Sequence, residues 1–113
     1  MKKIECIIRP MRLEAVKSAL GELGITGMTV TDVRGIGTGD GATSLAPGAA
    51  GYAGALPPKI KLEVVAADED VDEVIETVLL HARTGSPGDG KIFVLPAGRA
   101  VRIRTGDEGE GVL

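Results

Sequence analysis

The chain has 113 residues, of which 43% are hydrophobic and 26% charged, and these figures suit one globular domain spanning 1–113 with a single modest core. A net charge of -3 and an aromatic content of 2% argue against nucleic-acid binding, because they provide neither a global basic field nor base-stacking platforms. A single cysteine, no apolar run of about 20 residues and no signal-peptide core lead us to expect a cytoplasmic protein.

The first third of the chain predicts a strand, a helix and a second strand. Residues 2–9 (KKIECIIR) alternate so that Ile4, Cys6 and Ile8 share one face, where Cys6 is expected to be an inert core thiol. Apolar residues recur at helical spacing over 12–23, and Gly24 follows where a C-terminal cap belongs. The β-branched residues of GMTVTDVRG favour a strand over 27–35.

The second half of the chain repeats this order after a long irregular segment. Residues 36–58 are dominated by Gly, Ala, Thr, Ser and Pro and predict a loop. The alternation of KIKLEVVA predicts a strand over 59–66, with Lys59 and Lys61 on its polar, exposed face. A helix is expected behind a capping box formed by Asp70 and Glu73. Two further strands are predicted, KIFVL and a short C-terminal one, AVRIRTG.

This order predicts an α+β fold of the ferredoxin-like type, a split βαβ arrangement written βαββαβ. The loop at approximately 36–58 joins strands 2 and 3. A structureless connection of that length in a compact domain is usually functional or disordered. We therefore expect this loop to carry part of the function.

The segment TGSPGDGKIFVL (84–95) allows two interpretations. It is either a tight turn that leads into a strand, or an anion cradle in which bare backbone N–H groups wrap a phosphate beside Lys91. Arg102 and Arg104 stand two apart on the predicted last strand, so both would leave the same face. They are either a solvated edge or, together with the lysines, part of a polyphosphate pocket.

Catalytic and metal-binding motifs are not apparent. GDGK lacks the spacing and the following Ser or Thr of a Walker lysine, and no nucleophile motif is recognisable. One Cys and one His give no support for a protein-ligated metal. His81 is expected at a solvated helix position.

Four segments together resemble the PII signal-transduction family: MKKIECIIRP, GITGMTVTDVRGIG, TGSPGDGKIFV and VRIRTGDEGE. They cover nearly the whole chain outside the loop, in the family's order and spacing. The resemblance implies a ferredoxin-like subunit in a compact homotrimer, with adenine nucleotide (ADP, AMP or ATP) in the clefts between subunits. The loop at 36–58 would be the family's T-loop, which engages a partner protein.

The resemblance also implies roles for individual positions. Thr29 and Val65 would lie around the adenine with Ile7 against the ring, and Gly35 and Gly37 would pass near the nucleotide. The phosphates would lie in a cradle near Thr38, and Arg102 and Arg104 would reach them from the neighbouring subunit. The cradle itself would be Gly88, Asp89, Gly90 and Lys91.

The chain departs from the family pattern at the base of the loop, which reads GIGTGDG over 35–41. The family's arginine for the terminal phosphate is replaced by Thr38, and its glutamine for magnesium and 2-oxoglutarate by Gly39. Lys59 corresponds to the family's effector-binding lysine. Tyr52 lies about where the family has a modifiable tyrosine, but its neighbours are small and neutral.

These features predict a non-enzymatic regulator that senses adenine nucleotide, without the usual 2-oxoglutarate response. Magnesium would enter only with ATP, and no tightly bound metal is expected. The target would be a transporter or a metabolic enzyme, and a transporter would bring the protein to the membrane surface. The alternatives are a PII-like sensor of another small anion such as bicarbonate, and a weak ATPase.

Overall fold

The computed structural model describes residues 1–37 and 56–113. Two helices and four strands alternate in the predicted order. Short 3-10 turns precede both helices and close the chain, over Pro10–Arg12, Asp68–Asp70 and Glu110–Val112. The elements are β1 (Lys2–Ile8), α1 (Leu13–Glu22), β2 (Thr29–Arg34), β3 (Pro58–Ala66), α2 (Val71–Ala82) and β4 (Lys91–Pro96).

The four strands form one antiparallel sheet in the order β2-β3-β1-β4. Ile7 lies opposite Lys61 of β3 and opposite Lys91 of β4, whereas Lys2 pairs with Ala66 and Pro96 at the other end of the sheet. This is the ferredoxin-like α+β arrangement, and the sequence prediction of the fold is confirmed.

The core lies between one face of the sheet and the two helices. Alternation along the strands decides which side chains enter it, since successive residues point to opposite faces. The core residues are Ile4, Cys6, Ile8, Val16, Leu20, Ile60, Leu62, Val64, Ala66, Val74, Val78 and Ala82. Burial removes the thiol of Cys6 from water and raises its pKa to about 12, which agrees with the expected inert thiol.

The opposite face of the sheet carries a ladder of alternating charges. Lys3 Nζ lies 2.7 Å from Glu63, and Lys61 Nζ lies 3.2 Å from Glu5, with longer contacts of 3.7 Å completing the ring. The hydrogen bond between Lys3 and Glu63 raises the pKa of Lys3 and lowers the pKa of Glu63. These side chains remain partly exposed, so each pair contributes little to stability in a single chain.

Of the two predicted helix caps, the cap at the end of α1 is confirmed and the capping box at the start of α2 is wrong. Gly24 follows α1 with a φ of 88° and donates its N–H to Gly21, as the predicted cap requires. The capping box is wrong, because Asp70 already has helical dihedrals and makes no side-chain cap; the 3-10 turn begins the helix instead.

The predicted C-terminal strand is not a strand in the structure. Among the described residues, its one remaining pairing is the bridge between Val101 and Glu108, around a turn over 103–105. Among residues 1–37 and 56–113, no helix is long and apolar enough to cross a membrane.

Candidate functional site

A cavity of about 550 Å³ opens at the end of the sheet where β1 and β3 meet the loop that precedes β4. We call it the cradle cavity, and the loop over 83–90 the cradle loop. Eight residues predicted for the nucleotide or effector site line it: Ile7, Gly35, Gly37, Lys59, Gly88, Asp89, Gly90 and Lys91. Long-range strand pairing brings them together, since Ile7 lies opposite Lys91 of β4 and opposite Lys61 of β3. Pairing of β2 with β3 then places Lys59 opposite Val33, near the end of β2.

The Asp89 carboxylate organises the cradle loop from inside. One oxygen accepts the backbone N–H groups of Thr84 at 2.9 Å and Gly85 at 2.8 Å. The other accepts the Thr84 hydroxyl and, at 3.0 Å, Nε of Arg9. The Thr84 hydroxyl, the backbone donors and Arg9 together hold the pKa of Asp89 well below its usual range. The side chain predicted to face phosphate therefore binds its own loop.

Two cations tie this loop to the sheet. Arg9 donates from Nη2 to the carbonyl of Pro87 at 2.6 Å, and Lys59 donates from Nζ to the carbonyl of Gly88 at 2.6 Å. Lys59 is only 6% exposed, whereas the alternation of β3 predicted an exposed lysine; the cradle loop lies near enough to accept its hydrogen bond. A buried ammonium is costly without such partners.

Sequence reasoning missed Arg9. It follows β1 directly, and its partner Asp89 is 80 residues away, so no local pattern indicates the pair. The antiparallel pairing of β1 with β4 is the one signal that could have found it, because this pairing brings the end of β1 beside the start of β4.

Two glycines give the cradle loop its close approach to β1. Gly88 and Gly90 both have a φ of 101°, a conformation that side chains with a Cβ rarely adopt. A Cβ on Gly90 would stand 1.6 Å from the carbonyl oxygen of Ile7. The glycine is therefore required by both dihedral angle and space, as a tight turn that leads into β4 requires. The binding of a phosphate by this turn stays a prediction.

The family model described as nitrogen regulatory protein P-II matches residues 1–107. The P-II proteins of Pasteurella multocida and Escherichia coli K12 are 51% and 49% identical over 113 residues, covering all of both chains. The chain belongs to the P-II family. A crystal structure of Arabidopsis thaliana PII bound to citrate matches with a TM-score of 0.80 and 42% identity, over 97% of this chain and 86% of that one.

Membership makes this P-II protein a signalling regulator, since proteins of the family act in nitrogen regulation through partner proteins. Of the residues that the structure describes, none form a group of three or more His, Cys, Asp or Glu able to hold a metal ion. His81 is partly buried, its Nδ1 lies 2.9 Å from the carbonyl of Thr77, and it lines neither the cradle cavity nor the neighbouring cavity described below.

The two arginines of this P-II protein lie far from its own cradle. The segments on either side of the C-terminal hairpin (101–108) contact Met1: Ala97 donates to the Met1 carbonyl at 3.3 Å, and a Glu110 carboxylate oxygen lies 3.8 Å from the Met1 amino group. The base of the hairpin therefore lies at the Met1 end of the sheet. Five residues of β4 separate that end from Lys91, roughly 17 Å at the rise of a strand. Arg102 and Arg104 also lie in a turn and not on the predicted strand, so a shared strand face no longer relates them.

Two of the three predicted adenine positions, Thr29 and Val65, also lie outside the cradle cavity, whereas the third, Ile7, lines it. Val65 lines a separate cavity of about 180 Å³ with Ala66 and Glu110, near the Met1 end of the sheet. Thr29, the first residue of β2, lies opposite Glu63 of β3. The predicted site residues thus form two groups within one chain. Thr38 and Tyr52 lie outside the described residues.

Proposed function

We propose that this P-II protein binds an adenine nucleotide in a cleft between two copies of the chain, within a homotrimer, and regulates a target protein through the T-loop at 36–58. The observation that carries this proposal is the division of the predicted site. The cradle with Lys91 lies at one end of the sheet, and Arg102 and Arg104 follow the other end, so one chain alone does not bring the lysine and the two arginines to the same ligand.

The cradle half suits phosphate. Its loop is fixed before any ligand arrives, because Asp89, Arg9 and Lys59 already hold it, and a preorganised site loses less entropy on binding. Lys91 is exposed at the cavity and, within the described part of the chain, has no ion-pair partner. Its charge is therefore available to a phosphate group.

The hairpin half suits the same ligand from the other side. Arg102 directly precedes the turn over 103–105 and Arg104 lies within it, and guanidinium groups bind phosphate oxygens through paired hydrogen bonds. A cyclic trimer gives each cradle one neighbouring hairpin, so three equivalent sites would form.

A small carboxylate-bearing anion or bicarbonate is the second candidate ligand. Lys59, buried at the cradle cavity, is the observation that favours it, and the Arabidopsis relative was solved with citrate bound. This ligand would occupy part of the same cavity. We assign no hydrolytic activity, because the arginine and glutamine of the family pattern are replaced by Thr38 and Gly39, which offer a terminal phosphate no charge.

Calorimetric titration of ADP into the wild type and three variants tests the proposal. Lys91→Ala and Arg102→Ala should each weaken binding by more than about 1 kcal/mol, since each removes a charge-assisted contact with phosphate. His81→Ala is the control and should bind like the wild type. Sedimentation of the same samples should show a trimer, and a stable monomer that binds ADP with full affinity would contradict the shared site.

A further inference from the structure

The C-terminal hairpin is an ordered turn that presents an apolar tip. Arg102 donates its N–H to the Asp107 carbonyl at 2.8 Å, and Gly106 donates back to the Arg102 carbonyl at 2.7 Å. Between the two arginines stands Ile103, which is 99% exposed and so contacts almost nothing among the residues that the structure describes. Turn positions favour Gly, Asn, Asp, Ser and Pro, and a β-branched apolar residue has no local reason to occupy this one.

An apolar cavity of about 370 Å³ lies next to the cradle cavity, on the helix side of the sheet. We call it the helix-side cavity. Its apolar lining comes from α2 and β4, chiefly Ile75, Leu79 and Ile92. The two cavities share four lining residues, which are Ile7, Asp89, Gly90 and Lys91.

We propose that Ile103 of one copy inserts into the helix-side cavity of a second copy and thereby positions Arg102 and Arg104 at that copy's cradle. This inference rests on the proposed function. Ile103 does not fill this cavity in its own chain, since its side chain is 99% exposed and the hairpin follows the far end of β4, which lies roughly 17 Å from Lys91. A second copy is therefore the occupant.

The spacing of the pieces fits this arrangement. Consecutive Cα atoms are about 3.8 Å apart, so an arginine and the isoleucine beside it can enter two cavities that share a wall. The isoleucine supplies burial without directional bonds, and the guanidinium groups supply contacts with phosphate. Ile103 is thus a positioning residue, which acts on the nucleotide through its neighbours.

Ile103→Gln tests the insertion, and Leu80→Gln is the matched control. Leu80 is 76% exposed on α2 and lines neither of the two cavities, so the same chemical change there should leave ADP affinity and assembly unaltered. Ile103→Gln should weaken ADP binding at least tenfold and shift sedimentation towards smaller species. Wild-type affinity and mass in Ile103→Gln would overturn the inference.

The receiving side is tested by Leu79→Gln, which changes a residue of the helix-side cavity that is 41% exposed. Two residues in contact give non-additive effects, so the double variant with Ile103→Gln should lose hardly more than either single variant. If the fold-losses of ADP affinity from the two single variants multiply in the double variant, the two side chains do not contact each other, and the proposed insertion of Ile103 beside Leu79 is overturned. If the wild type binds no ADP, the proposed function fails, while sedimentation of these variants still decides the insertion.

Discussion

Replacing Gly90 by alanine perturbs the cradle at its closest approach to the sheet. The new Cβ would lie 1.6 Å from the Ile7 carbonyl oxygen and 2.7 Å from its carbon, whereas real Cβ atoms essentially never come within 3.0 Å of such atoms. Ile7 is paired with Lys61 on one side and Lys91 on the other, so the strand has no freedom to retreat. The cradle loop must move by at least about 1.4 Å.

The loss of stability in Gly90→Ala has two causes: the strained dihedral angle at position 90 and the weakened hydrogen bonds of the cradle loop. A non-glycine residue at the φ of 101° is strained by roughly 1–2 kcal/mol. Displacement also weakens the hydrogen bonds that Lys59 and Arg9 donate to the loop, each worth about 1.5 kcal/mol because the donor is charged. With the strain and about half of the two hydrogen bonds lost, we expect a total loss of about 3 kcal/mol, or roughly 12 °C in Tm for a chain of this size.

Thermal unfolding by circular dichroism, at one fixed protein concentration, measures this loss, and calorimetry with ADP measures the effect on binding. Gly98→Ala is the matched control, because a Cβ there meets no atom within 4 Å. It should change stability by less than about 0.5 kcal/mol. Equal Tm values and equal ADP affinities for the two variants would refute the close contact between the cradle loop and β1.

Three further predictions concern the loops. Asp89→Asn should lower Tm near neutral pH and abolish much of the wild type's acid sensitivity. Folding lowers the pKa of the Asp89 carboxyl, so the stabilisation by Asp89 is complete above about pH 4 and is lost as pH falls below that value. Identical profiles of Tm against pH for the wild type and the variant would contradict this. ADP or AMP should bind at least as tightly as ATP in calorimetry, since Thr38 offers at most a neutral hydrogen bond; a tenfold gain for ATP with 2-oxoglutarate and magnesium would contradict it. Tyr52 should be uridylylated poorly, because its small neutral neighbours give a modifying enzyme little to bind, and efficient labelling by a uridylyltransferase from the same organism would refute this.

The fold could be predicted because its signals are local and repeated. Alternation placed Ile60, Leu62 and Val64 on one face of β3, and those residues are buried. The prediction of a short C-terminal strand was wrong because alternation alone does not make a strand. Val101 and Ile103 alternate with arginines, but within residues 1–37 and 56–113 they have no partner strand beyond one bridge. Alternation describes a strand only where a neighbour completes the ladder.

The candidate site was predictable only in part. The glycines of GDGK predict a tight turn from the sequence alone, and the positive φ of Gly88 and Gly90 in the structure explains why glycine occupies both positions. The burial of Lys59 and the hydrogen bond between Arg9 and Asp89 could not be predicted from the sequence, because they depend on chain segments 29 to 80 residues apart. Such contacts follow from the register of the sheet and not from any local pattern.

A complementation experiment tests the shared site most directly. Lys91→Ala lacks a working cradle and Arg102→Ala a working hairpin, so each variant alone should bind ADP weakly. Unfolding and refolding the two together at equal amounts would place an intact cradle beside an intact hairpin in about one site in four of a random trimer. Our account predicts that calorimetry on the mixture recovers this fraction of tight sites. A mixture that binds no better than the separate variants, with trimers present, would contradict a site divided between two copies.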